Sequence, residues 1–224
     1  QDIEPWVKGL EEKYPWQKLM LTEYGADANL DHQTEYLGDA LNWGKSFYPE
    51  TFQTKTHEHQ WSVIAKHPYI IASYLWNMFD FGVPMWSRGG VPARNLKGLI
   101  TFDRKIKKDS YYWYKANWSK DPVLYLTQRR NIDRERKHTS VTVYSNIGTP
   151  QVYLNGKELT GIRQGYTDVH YVLADVTLEQ GKNTIKTVAT YNGKEYTDEI
   201  EWNYTGEKKR SADWSENKEE HAGW

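Results

Sequence analysis

The chain has 224 residues, enough for one large domain or two smaller ones with a sizeable core. With 29 Lys+Arg against 30 Asp+Glu, the formal net charge is -1. No basic field gathers phosphates, so nucleic acid is not an expected partner. Cysteine is absent, which removes disulfides, thiolate catalysis and Cys-ligated zinc, and no run of about 18 apolar residues marks a membrane span.

The compositional excess is aromatic: 11 Trp and 17 Tyr. Such rings fill cores, and they also pack on the apolar faces of sugars. The N-terminus, Gln1 to Pro5, has neither Met nor a signal peptide and reads as a cut inside a longer protein. Residues 2–14 carry Trp6, Val7, Leu10 and Tyr14 at helical spacing, and Pro15 ends that helix. Lys18 to Thr22 is a short, nearly continuous apolar run, as in a strand buried on both faces of a parallel sheet. Glu23 follows directly, and an acid at the end of a buried strand is either costly or useful.

The pattern then repeats. Residues 54–67 predict a second helix, broken by Pro68. Tyr69 to Trp76 predicts a second buried strand running into Asn77, Asp80 and Gly82. Residues 83–98, rich in Gly, Pro, Arg and Asn, predict a long loop, and Asp109 to Trp118 a third helix. This alternation is α/β, and Glu23 and Trp76 fall at C-terminal strand ends, where (β/α) barrels keep their chemistry. A whole barrel takes about 250 residues. The roughly 120 here suffice only for the end of a barrel or a small α/β unit.

After Asp121-Pro122 the composition changes. Val123–Thr127, Ser140–Ser145, Gln151–Leu154, His170–Leu173, Thr184–Tyr191 and Glu195–Tyr204 alternate and are rich in Val, Tyr and Thr. Asn155-Gly156 and Asn192-Gly193 are hairpin turns. An immunoglobulin-like β-sandwich is expected over 121–204. Residues 205–224 read as a charged, flexible tail whose Trp214 and Trp224 suit docking.

Four blocks carry a family resemblance. Leu21-Thr22-Glu23-Tyr24-Gly25-Ala26 resembles the nucleophile segment of glycoside hydrolase family 2, the β-galactosidases, β-glucuronidases and β-mannosidases. Tyr74 to Phe81 resembles that family's last barrel strand, Asn95 to Lys105 the loop after it, and Lys108 to Trp118 its closing helix. Tyr144-Ser145-Asn146 and Leu154 to Lys157 are similar to the sandwich domain that follows the barrel. The blocks come in family order, and the resemblance covers nearly all of residues 5–204. The resemblance implies the C-terminal portion of a (β/α)8 catalytic barrel in residues 1–120, followed by the sandwich. It also implies a longer parent, whose missing barrel part carries an Asn-Glu pair with the general acid/base. Outside the β-region and tail, no such pair occurs here.

By that resemblance Glu23 is the nucleophile of a retaining exo-β-glycosidase and Trp76 a sugar platform. Tyr24 lies near the pocket, where it either orients the carboxylate or fills core. His57 and Glu58 are expected near the pocket rim. His57-Glu58-His59 is not a zinc motif, because its two His are two apart rather than four. Asn95 and Lys97 match the β-glucuronidase carboxylate motif, but β-galactosidases also carry Asn-x-Lys there. Terminal β-galactosides are therefore the first expected substrate and β-glucuronides the alternative. Asp80 is expected to be structural. A carbohydrate partner, no cofactor or metal, and self-association through open strand edges complete the expectation. A non-catalytic carbohydrate-binding or structural fragment is the reading from another class.

Overall fold

The computed structural model describes residues 2–35, 37, 47–86 and 88–206. Residues 207–224 of the expected tail, Trp214 and Trp224 among them, lie outside the described residues. The first part of the chain is built around one parallel crossover. Helix α1 (Glu4–Lys13) precedes strand β1 (Leu19–Tyr24), helix α2 (Glu50–Lys66) and strand β2 (Ile70–Leu75). β1 and β2 pair in parallel, as a helical crossover requires. Pro5 stands in the first turn of α1, where a missing N–H costs nothing. After β2 come a two-residue ladder between β3 (Phe81–Gly82) and β4 (Arg94–Asn95), and then helix α3 (Asp109–Trp118).

The rest is a β-sandwich. One sheet orders β10 (Arg163–Gln164), β11 (His170–Thr177), β7 (His138–Ser145) and β5 (Leu124–Leu126). The other orders β6 (Asp133–Arg134), β13 (Lys194–Tyr204), β12 (Gly181–Tyr191), β8 (Gln151–Leu154) and β9 (Lys157–Leu159). Alternation puts Val141, Val143, Leu173, Ile185, Ile200 and Trp202 inside, in one apolar core with Leu126 and Val152. Asn155-Gly156 and Asn192-Gly193 both have positive φ, the geometry of type I′ hairpin turns.

A second core joins the two regions. Val7, Val63, Ile64, Trp113 and Tyr114 from the helices pack with Val123, Tyr125 and Tyr144. Buried ionic groups cross the same seam. Arg130 binds Glu50 of α2 through two nitrogens and Asp109 of α3 at 2.8 Å, and the Tyr125 hydroxyl donates to Asp109 at 2.7 Å. Farther along, Arg134 pairs with Glu35 at 2.5 Å beneath the Trp202 ring.

Several expectations need correction. The second helix begins at Glu50 rather than residue 54, because Pro49 caps its start in an extended conformation. The region 83–98 is not all loop, since Arg94–Asn95 pairs with Phe81–Gly82. β11 runs on past Leu173 to Thr177 across a register shift, and the short strands β6, β9 and β10 carried too few residues to show a period.

Candidate active site

The C-terminal ends of β1 and β2 lie side by side, and the segments after them form one edge. Trp76 N–H donates to the Tyr24 carbonyl at 2.8 Å, and Asn77 N–H to the Lys97 carbonyl at 3.2 Å. Gly25, at φ +144, permits this approach: a Cβ there would stand 2.5 Å from the Trp76 carbonyl oxygen. Gly98 does the same on the other side, where a Cβ would fall 2.0 Å from the Asp80 nitrogen.

Glu23 projects from β1 with its side chain half exposed, at 54%. It lines a cavity of about 630 Å³ with Asp2, Trp6, Leu21, Tyr24 and Gln60. Its neighbour across the edge is Lys97, whose Nζ lies 3.6 Å from Glu23 Oε1. The Lys97 backbone is fixed by Asn95, whose Oδ1 accepts the Lys97 N–H at 2.9 Å. Asn95 itself is buried and paired into β4. Trp76 is 40% exposed and meets the Phe81 ring edge-on at 5.7 Å. Four of the residues singled out in the sequence, Glu23, Trp76, Asn95 and Lys97, therefore share one edge.

The other three lie beneath it. Tyr24 is buried, its ring edge-on to His57 at 6.4 Å, and burial pushes its phenol up. His57 and Glu58 do not reach the rim. His57 has no exposed surface; its Nδ1 bonds the Tyr114 hydroxyl at 2.8 Å, and burial, aided by the Lys108 charge, brings its pKa down to about 3. That imidazole is neutral and packs under Gly25. Glu58 turns the other way, into the seam with the sandwich, where it accepts from the Tyr144 hydroxyl at 2.6 Å and from Lys55 at 3.0 Å. Burial opposes its ionisation, but Lys55, His170 and Tyr144 outweigh that and bring its pKa to about 2. Consecutive residues on a buried helix point to different neighbours, which is why one dipeptide serves two interfaces.

The sequence marked Asp80 as structural but did not mark Lys108 and Gln53, the other polar groups that hold this edge together. Lys108 is fully buried, and its ammonium donates three hydrogen bonds: to the Ala28 carbonyl at 2.9 Å, the Leu96 carbonyl at 3.0 Å and Asp80 Oδ1 at 2.9 Å. Asp80 Oδ1 also accepts the Gly98 N–H at 2.9 Å. Burial pulls the Lys108 ammonium down and pushes the Asp80 carboxyl up, and each partner opposes the other's shift. Gln53 makes a parallel tie, donating to the Ala26 carbonyl at 2.9 Å and the Gly98 carbonyl at 3.3 Å. Asp27, beside them, has its carboxyl raised by burial against the pull of Lys97, Arg88 and Lys108. Among the described residues no group of three or more His, Asp or Glu is placed to hold a metal.

Known proteins resemble the chain that carries this strand-end carboxylate, lysine and exposed tryptophan on a parallel crossover fused to a sandwich. A Bacteroides fragilis β-glucuronidase is 36% identical over 195 residues, covering 86% of this chain and 27% of its own length. A solved Bacteroides fragilis protein, provisionally named a β-galactosidase, superposes with a TM-score of 0.91 at 80% identity, covering 93% of this chain and 31% of that one. An FMN-binding β-glucuronidase from Facaelibacterium prausnitzii L2-6 superposes at 0.77 with 35% identity, over 90% of this chain and 29% of that one. No protein-family model matches the chain. The chain is a homologue of the β-glucuronidase and β-galactosidase proteins, and it spans about a quarter to a third of their length.

Proposed function

We propose that this chain is the C-terminal part of a retaining exo-β-glycosidase of glycoside hydrolase family 2. Residues 1–120 supply the end of its (β/α)8 barrel, and residues 121–204 an immunoglobulin-like sandwich that braces it. Glu23 is the nucleophile. Its carboxylate attacks the anomeric carbon, the bond to the leaving oxygen breaks, and a glycosyl ester forms on Glu23. A second carboxyl group about 5–5.5 Å away protonates the leaving oxygen and then activates the water that hydrolyses the ester. By resemblance, that group belongs to an Asn-Glu pair in a barrel segment this chain does not carry. The isolated chain is accordingly expected to be inactive, since loss of an acid/base catalyst costs about 10²–10⁴-fold.

The terminal sugar is a β-glucuronide. The observation that supports this most is the cation beside the nucleophile: Lys97 Nζ stands 3.6 Å from Glu23 Oε1, on a loop set by the Asn95 side chain. A cation there suits the C6 carboxylate of a uronate, which a charge-assisted hydrogen bond recognises. Trp76 lies flanking as an apolar platform for the ring. The second reading is a terminal β-galactoside, favoured by the name of the solved relative at 80% identity. In that case Lys97 serves only to hold the loop. The two are separated by assaying the longer parent protein on aryl β-glucuronide and aryl β-galactoside, with and without Lys97→Ala. A glucuronidase loses about 10–100-fold in kcat/KM on the uronide with the substitution. Preferential galactoside cleavage unaffected by it establishes the second reading.

A further inference from the structure

We propose that Lys108 is a positioning residue for the Glu23–Lys97 pair: its buried ammonium ties the segment after the nucleophile to the loop that carries Lys97. The inference rests on the reading of Glu23 and Lys97 given above.

Three pieces of backbone meet at the active edge: residues 26–28 after β1, residues 77–80 after β2, and residues 95–98. Their direct contacts are few. Ala28 N–H reaches the Leu96 carbonyl at 3.0 Å, and Asn77 and Leu99 exchange bonds with the loop. Lys108 touches all three pieces at once, through Ala28, Asp80 and Leu96. Its three protons have three acceptors, so no donor is wasted. Asp80 carries the tie onward to Gly98, the residue after Lys97. Lys97 is thus gripped on both sides, at Leu96 and at Gly98, while the segment that follows the Glu23 strand is gripped at Ala28.

A folding role alone does not explain the choice of an ion pair. Burying two charges costs several kcal/mol each, and a well-packed apolar pair in the same volume is often as stable or more so. What an apolar pair lacks is direction. The ammonium fixes two carbonyl oxygens and one carboxylate at 2.9–3.0 Å, and misplacement by about 1 Å of groups that bind or attack can cost about 100-fold.

The test uses the longer parent protein, with Lys108→Met, the double variant Lys108→Met with Asp80→Leu, and Glu23→Gln. Melting temperature, kcat and KM are measured for each. Lys108→Met is expected to lower melting temperature, because it orphans the Asp80 carboxylate. The double variant is expected to regain the melting temperature yet remain about 10–100-fold down in kcat/KM. A double variant that regains both stability and kcat/KM overturns the proposal. So does one that fails to fold, since the pair is then needed for the fold itself. Activity surviving Glu23→Gln breaks the nucleophile assignment instead, and a dead Glu23→Gln beside a fully active double variant breaks only the role of Lys108.

Discussion

The sandwich and the α/β region reach stability in different ways. The sandwich closes its own core: both sheets face Trp202, Val143 and Ile185, and its long hairpin pairs every residue of Gly181–Tyr191 with one of Lys194–Tyr204. The α/β region has two parallel strands, with Met20, Ile71 and Tyr74 open on them, and its core borrows Val123, Tyr125 and Tyr144 from the sandwich. The proposed catalytic groups thus sit on the less self-sufficient region, and the sandwich acts as its brace through buried ionic contacts across the seam.

The largest expected effect of breaking that brace comes from Arg130. It lies between Glu50 and Asp109, both nearly fully buried, so Arg130→Met leaves the Glu50 carboxylate without its cation and takes a donor from Asp109. Removing one partner of a buried ion pair costs about 3–5 kcal/mol. Denaturant unfolding is expected to show that loss in a single transition, because the seam couples the regions; two separated transitions would mean that they are independent. Tyr144→Phe is expected to cost less, about 1–3 kcal/mol, by leaving Glu58 without its 2.6 Å donor. A melting temperature equal to that of the parent would show that Lys55 and His170 suffice.

The smallest effect is a pH dependence. Burial and the facing Glu50 push the Asp109 carboxyl up to about 7. The unfolded chain releases that proton near the ordinary carboxylate value, whereas the folded chain keeps it. The contribution of Asp109 is therefore full below about pH 4 and is lost as pH rises through about 7. Buried His57, lowered to about 3, acts in the opposite sense, disfavouring the fold as pH falls below the ordinary histidine value. The two partly cancel in the parent, so a difference is the clean readout. The melting temperature of Asp109→Asn minus that of the parent is expected to rise between pH 5 and 8, and a flat difference would contradict the shift.

Periodicity and turn chemistry made the sandwich legible. Alternation located its long strands, and both Asn-Gly turns lie where the hairpins reverse. The parallel crossover was legible from two apolar runs, and the place of Glu23 and Trp76 at their ends with it, but the strands are not buried on both faces as expected, since Met20, Ile71 and Tyr74 are exposed. The seam was not legible. Lys108, Gln53, Glu50 and Asp109 read as ordinary polar residues of helices and loops, because nothing local says that a charge will be buried against a partner dozens of residues away. His57 and Glu58 show the same limit: the family resemblance put them near the pocket rim, but only packing revealed that one supports Gly25 and the other binds the sandwich.

The most direct test is to treat the longer parent protein with a mechanism-based β-glucuronide inactivator, such as a cyclophellitol aziridine bearing a 6-carboxylate, and to map the adduct by peptide mass spectrometry. The prediction is a single adduct on Glu23, with inactivation slowed by Lys97→Ala. An adduct on any other residue, or full inactivation of Glu23→Gln, would contradict the account.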